Sequence, residues 1–238
     1  MLDGRSMVRR RAGARLWLSA LWLGLLCLAA LLAPWVAPKD PLAQDLFLGR
    51  LPPFWVQGAE PGYWLGTDSL GRDVLSRIVH GARVALMVAL VAGTVTCLVG
   101  ATLGLLAGFL RGWVDMVISR LIDIWMAFPP VLFSILLIAV LGPGLWSIII
   151  AIVVIDWTRF ARVVRAEAMA QGAMDYVASA RVAGRGRIGT MLREILPNVL
   201  PTIVVLLTLE MGIAVIVEAI LSFVNLSIST DDPTWGGM

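Results

Sequence analysis

The sequence predicts an all-α, polytopic transmembrane helical bundle, and three observations carry that prediction. Of the 238 residues, 59% are hydrophobic and only 15% charged, with a mean hydropathy of +0.89; soluble domains carry roughly 25% charged residues. The apolar residues gather in long runs, several near the ~20 residues that cross a bilayer as helix. Between two of those runs, 158–197 holds seven arginines against three acids. A basic loop between apolar spans belongs on the cytoplasmic face and is placed to meet a partner there.

Composition also excludes function classes. Lys39 is the only lysine among nineteen basic residues, and the arginines sit at the ends of apolar runs rather than among surface aromatics. That pattern argues against a nucleic-acid partner. Cys27 and Cys97 lie inside apolar runs without metal or redox spacing and read as packing residues. One histidine, His80, cannot form a two-histidine zinc site. No GxxxxGK[ST] loop or GxSxG elbow occurs, so the chain is not expected to bind a cofactor, hold a metal or hydrolyse ATP itself.

Taken in order, 1–15 is a basic tail and 16–36 an apolar run of 21 residues, read as a retained first span with Pro34 near its outer end. Residues 37–83 form a turn-rich loop whose five bases balance five acids. In its second half, Thr67 or Asp68 is expected to cap a short amphipathic helix beginning near Val74. The second span is 84–110, where Gly100, Gly104 and Gly108 make two overlapping GxxxG spacings that suit close approach of another helix. An amphipathic connector, 111–123, leads to a third span over 124–141. Pro129 and Pro130 remove two backbone donors from it, which predicts a kinked or interrupted, interior-facing helix.

After a hairpin at 142–144, the fourth span starts at Leu145. Its apolar part ends at Trp157, so its helix is expected to continue into the basic segment. Asp156 reads as a solvated acid at the interface. Span five covers 199–223 and contains Glu210 and Glu218, eight residues apart and so about 80° apart around a helix. Intramembrane acids suggest function; contact with a neighbouring helix or the lining of a wet pathway suits these two better than a proton relay. With the N-terminus inside, fourteen bases fall on inner segments and five on outer ones, in keeping with the positive-inside bias. The tail 224–238 then lies outside. The expected organisation is thus tail 1–15, span 16–36, periplasmic loop 37–83, a core of 84–223 that includes the basic loop 158–198, and tail 224–238.

Within the basic loop, YVASARVAG from Tyr176 to Gly184 reads as a short helix stopped by a glycine. A second amphipathic helix then leads to Leu196, and Pro197 and Pro201 mark the start of the next span. YVASARVAG followed by REILPN resembles the EAA loop of bacterial ABC importer permeases. The matching positions are Ala178, Ser179, Ala180, Gly184, Glu194, Leu196 and Pro197. Alanine replaces the first glutamate of the pattern, serine its first alanine, and Glu194 an apolar residue. LGTDSLGRDVLSRIVHGARVAL (65–86) and EAILSFVNLSISTDDPTWGGM (218–238) resemble segments of the dipeptide, oligopeptide and nickel permeases, the C-type subunits of type I importers.

That resemblance implies a type I ABC importer permease fold in the bacterial inner (plasma) membrane, with the N-terminus cytoplasmic. It implies four kinds of partner: a second homologous permease subunit, two cytoplasmic ATPase subunits that bind the ATP, a periplasmic substrate-binding protein and the lipid bilayer. Tyr176, Ala178, Ser179, Ala180, Arg181, Gly184, Leu196 and Pro197 would form the ATPase-coupling loop. Pro129, Pro130, Glu210 and Glu218 are candidates for the pathway or for a helix interface. The family has six spans and five are counted here, so the expectation is a chain that stops before a sixth. Di- or oligopeptides are the expected cargo, with nickel or a metal chelate as the alternative. A proton-coupled carrier using Glu210 and Glu218 is a further alternative.

Overall fold

The computed structural model describes residues 13–224 and 233–238; most of the expected basic tail (1–12) and of the expected outer tail (225–232) lies outside the described residues. Helices dominate and, among the described residues, no strand forms beyond an isolated bridge between Thr67 and Asp73. The chain divides into two units, Met1–Arg83 and Val84–Met238.

In the first unit, α1 (Ala14–Leu31) is apolar all round and largely exposed, as a helix in lipid would be. It stops short of the expected end. Leu32 leaves helical geometry, and Pro34 opens a separate turn, α2 (Ala33–Val36). Residues 37–73 fold through turns, tied by backbone bonds such as Arg50 N–H to the Asp68 carbonyl at 2.9 Å. Asp68 organises one of these turns, accepting from the Leu70 and Arg72 amides at 2.9 and 3.0 Å and from Arg72 Nε at 2.7 Å. The expected helix cap is therefore corrected. Asp68 holds the preceding turn, and Asp73 caps α3 (Val74–Leu110) by accepting from the Ser76 amide at 2.8 Å.

A second correction concerns α3 itself. The short amphipathic helix and the second span are one continuous helix of 37 residues. No residue between Val74 and Val84 breaks the helix, and polar groups such as Ser76 and Arg77 are carried into it rather than excluded.

In the second unit, α4 (Gly112–Met126) lies against α6 (Leu145–Gln171), and α5 (Pro130–Leu141) returns along α6 after an 87° bend. The third span is thus interrupted at 127–129, the second of the two outcomes that the prolines predict. Pro129 and Pro130 lie exposed at the corner, not facing inward as expected. The prolines end α4 because each lacks an N–H, and the corner frees α4 to place Ile118 and Ile122 against Ala107, Trp157 and Ala161. The fourth span continues as expected, as α6 runs on to Gln171.

After α7 (Asp175–Val182) and α8 (Arg187–Thr190), a π turn over Met191–Ile195 joins without a break to α9 (Leu196–Phe223). The second helix of the basic loop and span five are therefore one continuous helix. The widened turn, closed by Leu196 N–H on the Met191 carbonyl, takes Pro197 into the helix. Helices α1, α3 and the continuous helix Arg187–Phe223 are each long and apolar enough to cross a membrane, and the bent pair α4–α5 makes a fourth candidate.

A close helix contact in this unit is the seam between α3 and α6. A methyl group at Gly104 would lie 2.6 Å from the Ala161 carbonyl oxygen, and one at Gly108 would lie 2.5 Å from that of Arg165. The GxxxG spacing therefore does what its geometry suggests, letting two backbones touch. Beside it, Phe109, Phe160, Val164, Ile195 and Val199 close an apolar core.

Candidate functional site: an exposed helix on a buried anchor

Helix α7 is short, eight residues, and its ends are fixed by local chemistry. Asp175 stands in its first turn and Arg181 in its last, each with the sign that the helix dipole favours. At the C-terminus, Gly184 N–H donates to the Arg181 carbonyl at 3.0 Å and Arg185 N–H to the Ala180 carbonyl at 3.1 Å. This double closure is the Schellman arrangement, and it places Gly184 at φ +83°. Any side chain with a Cβ is strained there, so the glycine expected to stop this helix has a conformational reason for its position.

One side of α7 is anchored. Val177 is fully buried in the core with Phe109, Phe160, Val164, Ile195 and Val199. Tyr176 packs on the same cluster and donates its hydroxyl to Gln171 Oε1 at 2.8 Å. Burial pushes the Tyr176 phenol up; Asn198 opposes the shift, and Glu194 and Glu167 add to it. The other side is open. Ala178, Ser179 and Arg181 are exposed, Ala180 is half-buried, and Val182 is 90% exposed. Ser179 Oγ donates back to the Asp175 carbonyl at 2.9 Å, so its hydroxyl stays with its own helix. Glu194 forms an ion pair with Arg185. That bond fastens the connection behind α7 to the π turn, where the sequence pattern carries an apolar residue. Leu196 is half-buried and Pro197 exposed at the start of α9.

The acids of the spans lie elsewhere. Asp156 on α6 is buried, correcting the expectation of a solvated interfacial group. The Arg159 guanidinium lies 3.3 Å from Asp156 Oδ1 and 3.7 Å from Glu210 Oε2 on α9. Asp156 and Arg159 are three residues apart on one helix, and Glu210 faces them across the α6–α9 contact. Sequence reasoning singled out Glu210 but missed its partner. The i, i+3 spacing of Asp156 and Arg159, both at the polar end of an apolar run, was the available signal. Glu218 is also buried and accepts from Ser222 Oγ at 2.6 Å. Glu210 and Glu218 are thus held in separate polar contacts. Pro129 and Pro130, exposed at the α4–α5 corner, join neither group.

Two further charge contacts tie α4 to α6. Arg165 engages both carboxylate oxygens of Asp115, and Arg162 meets Asp123 at 3.3 Å. Near the end of the chain, Gly236 packs on the α9 backbone at Ala219, where a side chain would not fit. The P-T-W-G stretch of the sequence pattern therefore closes onto the helix that carries Glu218.

Residues 100–238 match the family of binding-protein-dependent transport system inner membrane components. The chain is 39% identical over 218 residues to the di/tripeptide transport system permease protein DppC of Pseudomonas aeruginosa, covering 92% of this chain and 72% of that protein. It is 37% identical to the dipeptide transport system permease protein DppC of Haemophilus influenzae, covering 90% and 72%. It is also 37% identical to the glutathione transport system permease protein GsiD of Pectobacterium atrosepticum, covering 76% and 60%. With α7 set where the EAA-like stretch predicts a helix and glycine stop, and with apolar helices long enough to span a bilayer, this chain belongs to the family of ABC importer permeases, the inner membrane components of binding-protein-dependent transport systems.

Proposed function

We propose that the chain forms half of the translocation pathway of an importer for di- and oligopeptides, and that α7 couples it to cytoplasmic ATPases. One observation carries the coupling reading: α7 is anchored from below by Val177 and Tyr176, while small residues and the apolar Val182 stand exposed above. A helix held rigidly on one side and uncovered on the other transmits a push from a partner into the core it stands on. Tyr176, Ala178, Ser179, Ala180, Arg181, Gly184, Leu196 and Pro197 form this coupling element. The partners are two ATPase subunits that bind and hydrolyse the ATP, a second permease and a periplasmic binding protein, with the N-terminus on the cytoplasmic side. Relatives named for dipeptides and for glutathione favour a peptide cargo over nickel.

Glu210 lies in an ion-pair network with Arg159, which suits a fixed helix contact between α6 and α9 rather than a proton relay. The test combines docking and transport. Gly184→Asp and Ala180→Phe variants are expected to insert in the membrane but lose co-purification with the ATPase subunits and ATP-driven peptide uptake in vesicles. Full uptake with intact co-purification in both variants removes α7 from the coupling role. Uptake driven by a proton gradient alone, and lost in Glu218→Gln, replaces this reading with a proton-coupled carrier.

A further inference from the structure

We propose that the arginine-lined hollow where α3 meets α4 binds a phosphate-bearing anion, supplied in the membrane by the headgroup of an anionic phospholipid. The hollow has a volume of about 440 Å³, and Arg111, Arg181, Arg185 and Arg187 line it together with Gly108, Phe109, Leu110, Gly172 and Ala173. No acid lines it. Among the described residues, Arg185 has an ion pair, with Glu194, whereas no salt bridge neutralises Arg111, Arg181 or Arg187. Arg181 lies over the Phe109 ring at 5.6 Å, which orients its guanidinium without cancelling its charge.

Guanidiniums gathered around a hollow with no acid among its lining residues repel each other unless an anion stands between them. Guanidinium groups match phosphate oxygens with paired, charge-assisted hydrogen bonds.

Position favours a lipid over a free anion. The hollow sits at the last turn of α3, the point where a 37-residue apolar helix stops. Leu110 on its rim is 40% exposed, and Trp113, on the first turn of α4, is 71% exposed. Tryptophan at the end of a span marks the headgroup level of a bilayer, and an apolar rim beside a basic pocket accommodates both parts of a phospholipid. Basic pockets between helices at the membrane surface are known receivers of such headgroups. The cavity also exceeds what a bare phosphate ion fills. Arg181 belongs both to this hollow and to the proposed coupling element, so lipid retention and ATPase co-purification are read separately.

The experiment uses the full chain purified in a neutral detergent, with retained lipid counted by native mass spectrometry during titration with phosphatidylglycerol or phosphatidylcholine. Phosphatidylglycerol is expected to bind selectively, and Arg111→Ala with Arg187→Ala to weaken it about tenfold or more, given roughly 1 kcal/mol per arginine near an anionic surface. Should the double variant fail to insert, Arg187→Gln alone, at an exposed position, reads the same loss at smaller size. Equal retention of phosphatidylglycerol by variant and parent overturns the proposal. Displacement of the lipid by inorganic phosphate at equal concentration marks a free-anion site and overturns the lipid assignment. Variants that keep the lipid but lose ATPase co-purification assign the arginines to a protein partner, which also overturns it.

Discussion

Two runs of small residues in this chain have opposite fates. Gly100, Gly104 and Gly108 on α3 face α6 and let the two backbones meet; Ala178 and Ser179 on α7 face outward, with Ala180 half-buried beside them. Smallness in the first run is consumed inside the chain. In the second it leaves a helix side largely uncovered among the described residues, next to a valine that is 90% exposed. The contrast teaches that a small-residue pattern shows only that something approaches closely. Whether the neighbour is internal or external depends on what lies opposite.

The largest expected effect follows from the seam. At Gly104 a Cβ already meets the Ala161 carbonyl at 2.6 Å and the Val164 Cβ at 3.0 Å, and backbone cannot yield as a flexible side chain would. Gly104→Leu should cost about 3 kcal/mol or more by overpacking, lowering the thermal midpoint of the purified chain or its accumulation in the membrane. Ala178→Leu, on the open side of α7, should move stability by less than about 0.5 kcal/mol. Equal midpoint shifts in the two variants would break the contrast between an internal and an external small-residue face.

A smaller effect separates the buried acids from both runs. Arg159→Ala leaves Asp156 and Glu210 buried beside each other without their shared cation. Removing one partner of a buried pair costs 3–5 kcal/mol in the strongest cases; Arg159 is half exposed, and solvent screening brings the expected loss to about 2 kcal/mol. Glu210→Gln in the Arg159→Ala background removes one of the stranded charges and should recover part of that loss in a thermal unfolding assay. If the double variant is no more stable than the single one, the three groups are not one electrostatic unit.

How much of this was legible beforehand depends on the range of the interactions involved. The bundle, the GxxxG contact and the α7–Gly184 stop follow from local chemistry: apolar length, the spacing of small residues, and a glycine at a left-handed helix end. What escaped the sequence depends on partners far along the chain. Asp156 reads as solvated until α9 brings Glu210 against Arg159. Pro129 and Pro130 suggest a kink or break facing inward; the break forms, yet α4 lies across α6, with Arg165 on Asp115 and Ile118 and Ile122 against Trp157, and the prolines become an outer corner. The continuity of α3 and of the helix 187–223 was missed for the opposite reason. Polar residues and prolines are local stop signals, and tertiary burial and one π turn overrode them.

The smallest expected effect lies outside the helices, in the turn that Asp68 holds. Burial alone pushes the Asp68 carboxyl up, but the Arg72 amide, the Arg72 guanidinium and the Leu70 amide together outweigh it and hold the carboxyl below its ordinary value. The sign of the pH effect follows. A carboxylate whose folded value is depressed contributes stability that is fully present above its unfolded value, about 3.9. That stability is lost as pH falls through the lower folded value. The parent chain should therefore lose stability on acidification below about pH 4 more steeply than Asp68→Asn, which keeps the shape of the turn but has no charge to lose. Comparing the thermal midpoints of the two proteins between neutral and strongly acidic pH measures this directly. Parallel curves would mean that Arg72 and Arg77, the latter 3.6 Å from Asp68 Oδ2, are held by the surrounding backbone and not by this carboxylate.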